Sequence, residues 1–231
     1  MNPRVGIVDG GFARVPAGAL QAAAQFSAEP DGRVRRGPPL ARALPHGECV
    51  AALVLCAAPD ACLIDARVAT DISPPTPRLV AEAIEWCVAE GARIVNLSLG
   101  VLEDRDVLRD ACARAVALGV LLVAAAPARG APVHPARYPG VIAVGGDARC
   151  GPGQWSMLTD AGSGGASWGS CPAGPNGVPA GASMAAARFT GIVAKFLAHH
   201  PDAGRNGLAE YLATFAGWRG RENRRIAEID S

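Results

Sequence analysis

The feature that most constrains this chain is an alternation of two patterns. Short apolar runs bounded by Gly and Pro recur at Val5 to Val8, Cys62 to Val68, Arg93 to Leu99, Val120 to Ala126 and Val141 to Val144. Their near-continuous apolar character suits strands buried on both faces. Between them lie stretches with helical spacing. Pro77 to Glu90 puts Leu79, Ile84 and Val88 near one face and stops at Gly91, and a second stretch runs from about Asp104 to Leu118 before Gly119. Ser183 to His199, with Met184, Phe189, Ile192, Val193, Phe196 and Leu197, predicts a further helix, as does Asn206 to Phe215. Strands alternating with helices of this length predict a single doubly wound α/β domain: a mostly parallel sheet, right-handed crossovers and helices on both faces. The expected domain covers residues 1–218, followed by a polar C-terminal tail at 219–231, with no repeat or linker to divide it. Cys150 to Ala180, rich in Gly, Ser and Pro around Trp155 and Trp168, reads as an ordered loop region with short strands at most.

Charge and targeting narrow the functional classes. The 22 Lys plus Arg residues nearly balance 21 Asp plus Glu, which argues against nucleic acid or an anionic membrane as partner. No apolar stretch has the length of a membrane span, and Met1 to Arg4 runs straight into the first apolar segment without a signal-peptide pattern. Seven cysteines, an odd number without close pairs, read as small core residues in a reducing compartment, so a cytoplasmic location is expected. Cys49 stands apart only because it lies three positions after His46. Neither a metal nor a cofactor is expected, because no acidic loop looks dedicated to calcium and no cysteine spacing suits zinc.

In a doubly wound sheet the ligand site lies beyond the carboxyl ends of the strands. Asp9 follows the first apolar run there and precedes Gly10-Gly11, where it is either a buried carboxylate in need of a partner or an Asx turn. His46, in Pro45-His46-Gly47-Glu48, begins a small-residue helical run and is the best placed of four histidines to act as a base. Ser183, in Gly181-Ala182-Ser183-Met184-Ala185, opens a helix behind a flexible approach. An ordinary N-cap would account for that serine, and so would a nucleophile backed by helix amides and dipole.

Taken together these segments resemble the subtilisin-like serine proteases, the subtilases, across about Arg4 to Ala198. Val5-Gly6-Ile7-Val8-Asp9-Gly10-Gly11 is similar to the family's aspartate block, His46-Gly47-Glu48-Cys49-Val50-Ala51 to its histidine block and Gly181-Ala182-Ser183-Met184-Ala185 to its serine block. Ile94 to Gly100 resembles the segment lining the substrate cleft, and Tyr138 to Gly145 a characteristic later strand. The resemblance implies a Ser183 nucleophile, a His46 base, an Asp9 that orients it, and a peptide or protein substrate bordered by Ser98, Leu99 and Gly100.

Two departures qualify the expectation. Where the family carries an oxyanion-binding Asn, this chain has Ala128, whose side chain cannot donate; Arg129 and Asn176 are the candidate replacements. Nothing before the aspartate block could serve as a folding pro-domain, which fits an intracellular enzyme of narrow specificity, such as one that processes a single precursor peptide. The alternatives are a pseudoprotease that grips peptides without cleaving them, and an acyl transferase or macrocyclase on the same scaffold.

Overall fold

The structure, a computed structural model, describes residues 2–39, 42–70, 74–127, 131, 133–158, 166–175 and 180–220. Ten strands occur among them: β1 (Arg4–Asp9), β2 (Leu20–Ala28), β3 (Val34–Gly37), β4 (Cys62–Arg67), β5 (Ile94–Leu97), β6 (Leu121–Ala125), β7 (Ile142–Gly146), β8 (Trp155–Met157), β9 (Trp168–Ser170) and β10 (Trp218–Arg219). The helices are α1 (Pro45–Ala57), α2 (Pro77–Ala89), α3 (Asp106–Ala117), α4 (Ala182–His199) and α5 (Arg205–Thr214). All ten strands join one sheet in the order β10-β8-β9-β7-β6-β5-β1-β4-β2-β3, parallel except for the β2–β3 and β8–β9 pairs. The doubly wound, mostly parallel α/β fold expected from the alternation is the observed one.

Strand pleating explains how both faces are filled. Along β1, Val5 and Ile7 point into one core cluster and Val8 into the other; along β6, Leu121, Val123 and Ala125 alternate with Leu122 and Ala124 in the same way. The first cluster is closed by α1, α4 and α5, the second by α2 and α3. Close approach of α1 to α4 depends on Gly191, where a Cβ would lie 2.7 Å from the Val54 carbonyl oxygen. Among the described residues no helix is long and apolar enough to cross a membrane.

The chain leaves β1 by way of the β2–β3 hairpin and α1 to reach β4 on one side, then crosses through α2 to β5 on the other. The end of β1 is therefore the point where strand order reverses, the position at which such sheets bind ligands. Sequence patterning assigned nothing to β2, because its Leu-Gln-Ala-Ala-Ala-Gln-Phe-Ser-Ala composition carries more helix than strand preference; pairing with β4 overrides it.

At the far edge, Arg219 belongs to β10 and pairs in register with Met157, so the sheet extends one residue into the polar tail. Arg149 pins that edge. Its guanidinium makes hydrogen bonds of 3.0 and 2.7 Å to Asp147, which is 1% exposed, donates to the Gly220 carbonyl at 2.7 Å and lies 5.5 Å above the Trp218 ring. Burial pushes the Asp147 carboxyl up, but Arg149 and Ser156 together hold it below its ordinary value. Arg149→Met removes the counter-charge of that buried carboxylate and leaves it the amide of residue 149, which donates at 3.0 Å; the loss is expected to be up to about 3–5 kcal/mol in urea unfolding, whereas an exposed ion pair would cost under about 1 kcal/mol.

Candidate active site

Asp9 ends β1 in the pleat position shared by Val5 and Ile7, so its side chain leaves the sheet on the face covered by α1 and α4. It is 5% exposed. Its Oδ1 accepts from the Gly10 amide at 2.7 Å, a bond to the next residue and not the two-residue step of an Asx turn. Both carboxylate oxygens also face His46 Nδ1, at 3.0 and 2.9 Å. Of the two readings of Asp9, the buried carboxylate with a partner is the one realised, the partner being His46.

His46 is the second residue of α1, whose start is set by Pro45 in the first turn and by Leu44 as N-cap. The Leu44 amide donates to the Gly10 carbonyl at 3.0 Å, and a Cβ on Gly47 would sit 2.2 Å from the Gly11 carbonyl oxygen. Only glycine at 47 lets the helix start lie this close to the loop after β1. The hydrogen bond that His46 donates to Asp9 raises the His46 pKa above its ordinary 6.5; partial burial opposes this and the Asp9 charge adds to it. With Nδ1 occupied, Nε2 is the nitrogen left to exchange a proton.

Ser183 is the second residue of α4, and the N-cap is Gly181. The serine therefore does not cap its helix, which removes the simplest structural account of it. Its Oγ donates to the Ser98 carbonyl at 2.9 Å, and Ser98 Oγ donates back to the Ser183 carbonyl at 2.9 Å. Ser98, just past β5, leaves the sheet on the α4 side like Asn96, whose amide donates to Thr190 of that helix at 2.9 Å. The arrangement brings Asp9 to His46 and Ser98 to Ser183; among the described residues no hydrogen bond joins Ser183 to His46.

Leu99 is half-buried, and Gly100 packs where a Cβ would come within 2.8 Å of Val133. Ala128, Arg129 and Asn176 lie outside the described residues. Cys49, half-buried beside the site, has its thiol pushed up by burial and by the Glu48 and Asp9 charges, the opposite of what a thiolate nucleophile needs. Sequence reading missed Glu48, which accepts from the Ala13 and Arg14 amides at 3.0 Å each, and the buried Asp65–Arg67 pair at 2.8 Å. The docking of α1 on the loop after β1 reveals the first, and the register of β1 against β4 the second.

A family model described as the subtilase family matches residues 21–226, a stretch that contains His46, Ser98 and Ser183 and begins after Asp9. Subtilisin E of Bacillus subtilis is 29% identical over 180 residues, covering 71% of this chain and 47% of that protein; the chain thus spans about half the length of that relative. Among solved structures, the protease domain of PatA superposes with a TM-score of 0.65 at 23% identity, covering 91% of this chain and 86% of that one. The prenylagaramide maturation protease PagA superposes with a TM-score of 0.64 at 23% identity, covering 87% and 77%. At these identities the two structures are similar in fold.

Proposed function

We propose, from the premise that this chain belongs to the subtilase family, that it is a serine endopeptidase with Ser183 as nucleophile, His46 as general base and Asp9 as the residue that orients and stabilises the histidine. The observation that carries this reading is the Asp9–His46 pair. A carboxylate 5% exposed holds Nδ1 at 2.9 Å, so Nδ1 keeps its proton and Nε2 presents a lone pair. Ser183 Oγ adds to the substrate carbonyl carbon as its proton passes to Nε2. The imidazolium then gives that proton to the leaving amine, and water repeats the cycle on the acyl-enzyme. First-turn amides and the dipole of α4 stabilise the oxyanion; either Arg129 or Asn176 supplies the side-chain donor that Ala128 lacks, or the enzyme is slow and suited to one tightly held substrate. Ser98, Leu99 and Gly100 pair with an extended peptide as an added strand.

Narrow specificity is part of the proposal. It is supported by the fold likeness to PagA, a maturation protease, and it goes with a proposed cytoplasmic setting, in which broad proteolysis would be hazardous. The seven cysteines, all free and four of them buried, support that setting.

The test is covalent labelling with a fluorophosphonate, read by intact mass. One adduct is expected on the wild-type protein and none on Ser183→Ala or His46→Ala. The Ser183 hydroxyl's bond to the Ser98 carbonyl favours a second reading, a peptide-binding pseudoprotease, and a folded wild-type protein that takes no adduct selects it. With an adduct in hand, product masses separate hydrolysis from ring closure, and comparable cleavage of casein and of any cellular peptide would count against narrow specificity.

A further inference from the structure

Asp9 and His46 belong to different elements, and the chain that leaves Asp9 passes beneath the start of α1 before it goes anywhere else. That passage, Gly10 to Arg14, is held from two sides. On the helix side, Glu48 lies in the first turn of α1, two residues after His46, and its two carboxylate oxygens accept from consecutive amides, Ala13 and Arg14, at 3.0 Å each. On the sheet side, Arg67 ends β4 as the in-register partner of Asp9 across the β1–β4 pair. Its Nη2 donates to the Phe12 carbonyl at 3.0 Å, and its Nε donates to Asp65 at 2.8 Å. Gly11 has a φ of +88°, and a Cβ there would lie 2.3 Å from the Arg67 Nε, so the guanidinium lies directly against the strap. Asp65, 0% exposed, neutralises Arg67 and also accepts from the Phe12 amide at 3.4 Å.

We propose that Glu48 and Arg67 are positioning residues: from opposite sides they fix the Gly10–Arg14 strap, and through it the separation of the Asp9 carboxylate from the His46 ring. Neither is placed to touch substrate. Glu48 ties the helix that carries the histidine to the segment that follows the aspartate, and Arg67 with Asp65 ties that segment to the strand beside the aspartate. A displacement of about 1 Å in such a pair costs on the order of 10²-fold in rate. The proposal rests on the reading of His46 as a base, but its primary readout requires no activity.

That readout is the His46 ring pKa, followed by NMR in the free protein and assigned with His46→Gln. Glu48→Ala removes both acceptors and is expected to lower the His46 pKa toward its ordinary 6.5. It should also reduce kcat about 10- to 100-fold with little change in KM. Glu48→Gln keeps one acceptor oxygen and is expected to fall between the wild type and Glu48→Ala. Because Glu48 also carries a charge, the decisive variant is Asp65→Asn/Arg67→Met, which removes one positive and one negative charge together and leaves no buried ion unpaired. Burial pushes the Asp65 carboxyl up to about 6, so above that pH the two lost charges nearly cancel through space, and a fall in a His46 pKa lying there reports loosened geometry. Folded variants, checked by circular dichroism, whose His46 titrates as in the wild type would overturn the proposal. A protein that takes no fluorophosphonate but whose His46 pKa falls in these variants would instead retain the strap and remove the endopeptidase reading.

Discussion

Ser183→Ala is expected to lose peptide hydrolysis by on the order of 10⁶-fold in kcat, the loss caused by removing the corresponding nucleophile of subtilisin itself, which amounts to about 8 kcal/mol of transition-state stabilisation. The same variant should keep its fold and its grip on substrate. The hydroxyl makes one bond, to the Ser98 carbonyl, worth about 1 kcal/mol, while the return bond from Ser98 Oγ ends on the Ser183 main chain and survives the substitution. Binding by the segment Ser98 to Gly100 would use backbone groups that the variant retains. Steady-state kinetics on the wild type, paired with peptide binding to Ser183→Ala by calorimetry, should therefore give a dissociation constant near the wild-type KM alongside an almost complete loss of turnover. Turnover retained in Ser183→Ala would take Ser183 out of the chemistry. Binding lost with turnover would mean that the serine organises the cleft and does not attack.

That separation depends on features of the fold that are unequally legible in sequence. β1, β4, β5, β6 and β7 are buried on both faces, and such strands read as unbroken apolar runs. α2 and α4 were legible for the complementary reason, since their apolar residues recur at helical spacing. β3, Val-Arg-Arg-Gly, has no buried residue, and β8, β9 and β10 have three residues or fewer, too short for any period to register. β2 misleads because alanine and glutamine favour helices and only its partner β4 makes it a strand.

The site divides along the same line. Asp9 was legible as a carboxylate at a strand end and His46 as a ring at a helix start, because each position follows from its own element. Whether the two meet depends on the docking of α1 against the β1 loop, which needs glycine at 47 because a Cβ there would lie 2.2 Å from the Gly11 carbonyl oxygen. Ser98 was assigned to the substrate cleft by resemblance alone. That its hydroxyl also braces the main chain of Ser183 depends on a contact across 85 positions of sequence. Asp65 and Arg67 lie two residues apart within a run read as a buried strand, but which segment they hold follows only from the β1–β4 register.

Asp9→Asn is expected to lower kcat by on the order of 10⁴-fold while leaving the shape of the site almost unchanged. The reason lies in the Gly10 amide. That amide donates to Oδ1 at 2.7 Å, so an asparagine keeps its carbonyl oxygen there and turns its NH₂ toward His46, where Oδ2 now stands 2.9 Å from Nδ1. An NH₂ donates, so Nδ1 must accept, and the ring proton moves to Nε2, the nitrogen that has to receive the proton of Ser183. Charge matters as well as tautomer. Asp9 raises the His46 pKa above 6.5 chiefly by hydrogen bonding, so the ascending limb of the wild-type kcat/KM profile should lie above pH 6.5. In Asp9→Asn that limb moves toward acid, because an imidazolium without its carboxylate loses its proton sooner, even as the plateau collapses. Stability follows the same linkage. A histidine whose folded pKa is raised contributes stability that is fully present below 6.5 and is lost as pH rises through the folded pKa. The substitution should therefore cost more in urea unfolding at pH 5.5 than at pH 8.5. An unmoved limb, together with equal costs at the two pH values, would show that His46 does not depend on Asp9 for its proton affinity, and the orienting role would then have to be sought in another group.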